Sequence, residues 1–171
     1  MTEAQSILKR FSINIVHNPL SVNEIRSESC EDISSRSAAE AYSKIRQPLI
    51  VEDSGLFIEC LNGFPGTYSA WVLKKLELDG ILRLMKGEGK RSAKYISSVA
   101  FADEKGVRAF TEECAGELAE KARGNKGFGY DPLFVPKGSE KTFGEDDAQK
   151  NDVSHRAKAL VKFGEWFQKN R

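Results

Sequence analysis

Long apolar runs are missing from this chain. No segment approaches the roughly 18 consecutive apolar residues of a membrane-spanning helix, and the N-terminus carries no signal-peptide pattern. Cysteine is scarce: Cys30, Cys60 and Cys114 are odd in number, far apart and outside any metal-ligand spacing. They read as reduced thiols, and with no membrane segment they suggest a cytoplasmic protein. An excess of either charge is lacking too, since 26 Lys and Arg face 25 Asp and Glu for a net charge of +1. That balance gives no general attraction to nucleic acid or to an anionic membrane, and no basic stripe supports either partner. Any anion must be caught by a local site.

Two common nucleotide signatures are also missing. Gly87, Glu88 and Gly89 stand too close together before Lys90 for a Walker-type phosphate loop, and Pro132 occupies the place of the third glycine after Gly127-Phe128-Gly129. The length of 171 residues fits one domain, 1–171, able to bury a core without staples.

The richest stretch runs from Pro48 to Trp71, PLIVEDSGLFIECLNGFPGTYSAW. Pro48 to Val51 is a short apolar run with the pattern of a buried strand. Glu52 and Asp53 follow, then Ser54-Gly55 as a turn, a second apolar run from Leu56 to Leu61, and the tight-turn pair Asn62-Gly63. A helix is expected to start at Thr67 or Ser69. Acids at the end of a buried strand, facing a helix N-terminus, suit a divalent metal and a phosphate chain. The same residues also suit a plain strand, polar turn and hairpin.

Around this stretch, residues 3 to 10 have helical composition, Phe11 to Val16 alternates like a strand, and 18 to 35 reads as a long polar loop. Ser37 to Ile45 is expected as a helix whose apolar stripe is Ala38, Ala41, Tyr42 and Ile45, with Glu40 off the stripe. Ser69 to Met85 should be a helix broken near Asp79-Gly80. Ile96 to Ala102 and Val107 to Leu118 should pair as strands, turning at Asp103 to Gly106, with Glu112, Glu113 and Glu117 on an exposed face. The loop GNKGFGYDPLFVP (124–136) holds three aromatics among glycines and prolines. Phe128 in that frame, beside Asp131, could stack on a base or simply plug the core. The last helix is expected from Asn151 to Gln168, with Val153, Ala157, Leu160, Gly164 and Phe167 inward and Lys150, Ser154, His155 and Arg156 at its start. Cations there oppose the helix dipole by about 0.3–1 kcal/mol, a conflict that a bound anion or carbonyl oxygen would offset.

Together the blocks VEDSGLFIECLNGFPGTYSAW (51–71), GFGYDPLFVP (127–136), KTFGE (141–145) and KNDVSHRAKAL (150–160) resemble the inosine triphosphate pyrophosphatase family, with the helix SAAEAYSKI (37–45) matching in pattern. The resemblance implies an α/β fold, a long curved mixed β-sheet with flanking helices in two lobes and the active site in the cleft between them. It implies hydrolysis of deaminated purine nucleoside triphosphates (ITP, dITP, XTP) to monophosphate and pyrophosphate with Mg²⁺, by a homodimer. By position, Glu40 and Asp53 resemble the metal acids, with Asp53 the general base and Glu52 its neighbour. Ser54 and Gly55 close the turn beside the phosphates. Phe128 resembles the aromatic that stacks on the purine, with Gly129, Tyr130 and Asp131 lining the pocket. Lys150, Ser154, His155 and Arg156 resemble the cluster that contacts base and phosphates. Donors such as Arg156 and a protonated His155 suit the 6-oxo group of hypoxanthine or xanthine, where adenine offers an amino group instead.

The chain departs from the family pattern at its start, which lacks the opening strand and the Thr/Ser-x-Asn-x-x-Lys turn that grips the triphosphate. A sheet short of one strand is therefore expected. A rival reading follows, a purine-nucleotide-binding protein with little or no catalysis.

Overall fold

The computed structural model describes residues 3–170. Its described residues form five strands in one sheet, ordered β2-β1-β3-β4-β5, and five α-helices, so the α/β class expected from the sequence is the one that forms. The chain divides into two compact units. Unit 1 is Met1–Asp53, Ser97–Glu112 and His155–Arg171; unit 2 is Ser54–Ile96 and Glu113–Ser154. The strands β1 (Leu49–Ile58), β3 (Ser92–Asp103) and β4 (Gly106–Leu118) each pass from one unit into the other.

In unit 1 the alternation of side chains along a strand sorts two cores. Val99 and Phe101 of β3, with Phe110 of β4, pack on Ile7 and Leu8 of α1 (Glu3–Lys9) and on Ala157, Leu160 and Phe163 of α5 (His155–Lys169). Ala100 and Ala102 face the other way, onto Ala38 of α2 (Cys30–Ile45), joined by Leu49 and Val51 of β1. The expected strand at Phe11–Val16 does not form. Ser12 takes a left-handed conformation (φ 58°), and the Ile13 N–H returns to the Leu8 carbonyl at 3.1 Å, closing α1. Ile13 is buried in the α1/α5 core and Ile15 packs beside it, so the alternation records one-sided burial without a ladder.

Helix α2 starts seven residues before the expected Ser37. Ser29 caps it, its side chain accepting from the Asp32 N–H at 3.2 Å, and Glu31 and Asp32 suit the positive end of the helix dipole. The Glu/Ser-rich run that looks like loop is thus a cap and a first turn. Burial at Cys30, Ile33, Ser34, Ser37, Ala38 and Ala41 follows helical spacing.

Unit 2 is built around Phe134, whose ring lies 4.7 Å from Tyr95 and 5.2 Å from Phe143. Leu56 and Ile58 of β1 and Val72, Ile81 and Met85 of α3 (Ser69–Leu84) complete this core. Ser54-Gly55 is not a turn, because β1 runs straight through it. Gly55 serves a close approach: a Cβ there would lie 2.2 Å from the Gly66 carbonyl oxygen of β2 (Pro65–Gly66). The turn comes at Asn62 (φ 53°) and Gly63 (φ 87°), and brings β2 back antiparallel, Leu56 opposite Gly66. Ser69 fastens the junction, accepting from the Leu56 N–H (2.8 Å) and donating to the Gly66 carbonyl (2.7 Å). The break in α3 falls at Glu77 (φ 54°), earlier than Asp79-Gly80.

At the far edge β5 (Phe134–Pro136) pairs antiparallel with β4. Glu113 and Glu117 are exposed on β4, as expected, while Glu112 is half-buried and paired with Lys162. The single C-terminal helix expected from Asn151 is two helices, α4 (Asp147–Val153) and α5, parted at the buried Ser154. Lys150 therefore sits in the last turn of α4, where the helix dipole favours a cation; only Arg156 lies in a first turn.

Candidate active site

Glu52 and Asp53 are neighbours on β1, so their side chains leave opposite faces of the strand. Glu52 turns to the α5 side. Its Oε1 accepts from the buried Ser97 hydroxyl at 2.7 Å, and its Oε2 lies 3.1 Å from Arg156 Nη2. Arg156 Nη1 reaches Glu3 Oε2 at 3.5 Å, so one guanidinium links β1, α5 and α1 inside unit 1. Burial pulls the Arg156 pKa down, but the two carboxylates outweigh it and leave it above the usual arginine value.

Asp53 turns to the α2 side, where the Cys30 thiol hydrogen-bonds it. Burial pushes its carboxyl up to about 6; the thiol opposes this, and the charges of Glu52 and Glu24 add to it. The Cys30 thiol is in turn held above the thiol range by burial and by Asp53. Among the described residues, Asp53 Oδ2 is buried with no hydrogen-bond partner. A carboxylate oxygen desolvated in this way, near a second acid, attracts a hard cation and a proton alike. Asp53 could hold a divalent metal, and the charges of Glu52 and Glu24 would add to the attraction. No three His, Cys, Asp or Glu side chains converge among the described residues. Mg²⁺ fits such a sparse set, because it is commonly held by one or two carboxylates together with waters and phosphate oxygens.

Glu40, expected at the metal, is occupied otherwise. Its carboxylate accepts from Lys44 Nζ one turn on, at 2.6 Å, and from the Asn23 N–H at 3.2 Å. These two bonds, Lys44 first, hold its pKa below the usual value. Glu24 escaped the sequence reading because it lies in the polar segment before α2, where no periodicity or turn chemistry singles it out; only the fold brings its charge to bear on Asp53.

Unit 2 gathers a second group. Asp131 is buried, and its Oδ2 accepts from the Phe128 N–H at 2.7 Å and lies 2.6 Å from Lys150 Nζ. The same ammonium sits 3.8 Å from the centre of the Phe128 ring, which stays 58% exposed. Gly127 (φ 71°) is required here, since a Cβ would fall 2.2 Å from Asp131 Oδ2; Gly129 (φ 67°) completes the turn. Tyr130 does not line an opening. Its ring belongs to the core, its hydroxyl donates to the Ser69 carbonyl at 2.8 Å, and burial lifts its pKa to about 12. Ser154 is buried beyond α4, its N–H on the Lys150 carbonyl at 3.0 Å, and the buried His155 opens α5. The structure thus brings Glu52 to Arg156, and Phe128 to Asp131 and Lys150, while Asp53 leaves β1 on the face opposite to Glu52.

The sequence model of the Ham1 family matches residues 1–166. The chain belongs to the Ham1 family. It is 46% identical over 170 residues to the dITP/XTP pyrophosphatase of Methanopyrus kandleri, covering 98% of this chain and 90% of that protein. A dITP/XTP pyrophosphatase of Saccharolobus solfataricus is 42% identical over 167 residues, covering 97% and 87%. Among solved structures, the Ham1 protein of Staphylococcus aureus superposes with a TM-score of 0.80 at 25% identity, covering 90% of this chain and 83% of that one. The nucleoside-triphosphatase (dITP/XTP pyrophosphatase) of Mycobacterium abscessus gives 0.70 at 30% identity, covering 86% and 80%. The family resemblance drawn from residues 51–71, 127–136 and 150–160 is borne out. In this Ham1-family chain no described helix is long and apolar enough to cross a membrane, and none of the three cysteines is in a disulfide.

Proposed function

We propose that the chain hydrolyses deaminated purine nucleoside triphosphates (dITP, XTP and ITP) to the monophosphate and pyrophosphate, with Mg²⁺. The relatives' names support the substrate class. The observation that carries the chemistry is Asp53, a buried carboxyl raised to about 6 whose second oxygen has no hydrogen-bond partner among the described residues. A base with a pKa near the working pH accepts a proton from water efficiently. Mg²⁺, held by Asp53, would supply charge neutralisation at the phosphates. Glu52, anchored by Ser97 and Arg156, keeps the acid-bearing middle of β1 in place. The exposed Phe128 ring stacks on the base.

His155 and Arg156 keep the role of donors to the 6-oxo group. The planar five-donor fork of an arginine can serve a carboxylate and a carbonyl oxygen together. A nucleoside triphosphate is long enough for base and reacting phosphate to be handled by different residues, in keeping with Asp53 and the Arg156-bound Glu52 leaving β1 on opposite faces. The proposal takes 1–171 as one catalytic domain, since three strands run from unit to unit. It also takes the chain as a cytoplasmic homodimer; the exposed Phe64, Tyr68 and Trp71, close together in sequence, offer apolar surface for a second copy. Pyrophosphate release from dITP, XTP and ITP, set against ATP and GTP, tests the reading. A chain that binds these nucleotides but releases no pyrophosphate would instead be the binding protein of the rival reading.

A further inference from the structure

Four polar side chains of unit 1 form a line from α2 across the sheet. The Thr111 hydroxyl of β4 donates to Glu31 Oε2 at 2.7 Å. The Ser98 hydroxyl of β3 lies 3.1 Å from that of Thr111, and the Ser34 hydroxyl of α2 lies 3.0 Å from that of Ser98. Each hydroxyl has one proton to give. With the Thr111 proton on the carboxylate, Ser98 donates to Thr111 and Ser34 donates to Ser98, so three hydroxyls point one way toward a single charge. Ser34 and Ser98 are both buried, where an apolar pair would carry no desolvation cost. What the hydroxyls add is direction: they bind the first turns of α2 to two strands in one register. The Ser29 cap secures the start of the helix, and this line secures its place on the sheet.

The turn held in this way carries Cys30, whose thiol hydrogen-bonds Asp53. Asp53 Oδ2 has no hydrogen-bond partner among the described residues, so the thiol is on Oδ1 and the two oxygens have separate fates. Taking the proposed role of Asp53 as the premise, we infer that Glu31, Ser34, Ser98 and Thr111 are positioning residues, which fix the first turns of α2 so that Cys30 holds one Asp53 oxygen and leaves the other to metal and water. A carboxylate free to rotate would offer either oxygen at a range of angles, and a misplacement of about 1 Å at a reacting group can cost on the order of a hundredfold in rate. The effect belongs to kcat, because the orientation of the base is used in the transition state and not in binding the nucleotide.

The test is kcat and KM for dITP with saturating Mg²⁺, expressed per folded chain with the folded fraction read by circular dichroism. Thr111→Val is close to isosteric, and it leaves the buried hydroxyls a second pairing: Ser98 can donate to Ser34, and Ser34 to the Glu31 carbonyl at 3.2 Å. It should lower kcat roughly tenfold with KM within about threefold. Thr111→Ser restores the hydroxyl and should keep kcat within about threefold of wild type. In a Cys30→Ala background, itself slowed, Thr111→Val should lower kcat by less than about a further twofold, since the contact through which it acts is gone. A lower folded fraction with kcat per folded chain unchanged means that the hydroxyl line serves stability alone and overturns the inference. A full tenfold loss in the Cys30→Ala background overturns it too, as does a Thr111→Ser chain as slow as Thr111→Val. A wild-type chain that releases no pyrophosphate overturns the functional reading, and the inference with it. An active wild type with kcat unmoved by Thr111→Val overturns the inference alone.

Discussion

Burial makes Asp53 harder to ionise in the folded chain than in the unfolded one, and that sets its behaviour with pH. Its pKa rises from an ordinary 3.8 to about 6, so the native state holds the proton more tightly than the unfolded chain does. The stabilisation from that proton is complete below pH 3.8 and is lost as pH rises to about 6. Asp53→Asn should consequently raise the melting temperature at pH 7 to 8, without metal, by roughly 2–4 °C for each kcal/mol recovered. The gain should shrink toward zero near pH 4. Thermal scans of both proteins at the two pH values check this, and an equal gain at both would mean that ionisation is not the cause. The same substitution should abolish pyrophosphate release while leaving nucleotide binding largely intact. In the wild type with Mg²⁺, kcat/KM should climb with pH and level off below about 6, because the carboxylate form is the base and a bound cation lowers the metal-free value. Arg156→Ala should lower the ratio of dITP to dATP turnover. It should also destabilise the fold, by leaving the Glu52 and Glu3 carboxylates without their guanidinium.

Single residues decide where whole elements begin and how closely they approach. Helix α2 gains seven residues over its expected length because Ser29 caps it, so Ser29→Ala should cost about 1 kcal/mol in a denaturant titration. A loss under a few tenths would place the nucleation of the helix elsewhere. Gly55 admits β2 against β1, and Gly55→Ala should cost more, roughly 2–4 kcal/mol, because the obstacle is the backbone oxygen of Gly66 and not a movable side chain. Helical periodicity in 69–85 and 151–168 was plain in the sequence, since burial on one face leaves a 3.6-residue imprint. A break in the first was expected near Asp79-Gly80 and falls at Glu77, while the break at Ser154 was not expected, because a lone serine is common inside helices and packing decides where the chain parts. The alternation in Phe11–Val16 misled for a related reason: period two reports which side chains are buried, and says nothing of whether a neighbouring strand offers hydrogen bonds.

For the whole molecule, the expected activity is metal-dependent release of pyrophosphate from dITP, XTP and ITP in preference to ATP. Chelation with EDTA should remove it and Mg²⁺ should restore it. Turnover that survives chelation would mean that Asp53 needs no metal. Composition, a balanced charge, the order of the blocks from Glu52 to Arg156 and the class of fold were all present in the amino-acid sequence alone. They are legible because periodicity, turn residues and ordered motifs are local properties of a chain. Tertiary structure alone decided that the charge of Glu24 bears on Asp53, that Glu40 pairs with Lys44, that Tyr130 belongs to the core, and that Lys150 faces Phe128 and Asp131. Those outcomes depend on burial and on distances between residues remote in sequence, and both arise only when the chain packs.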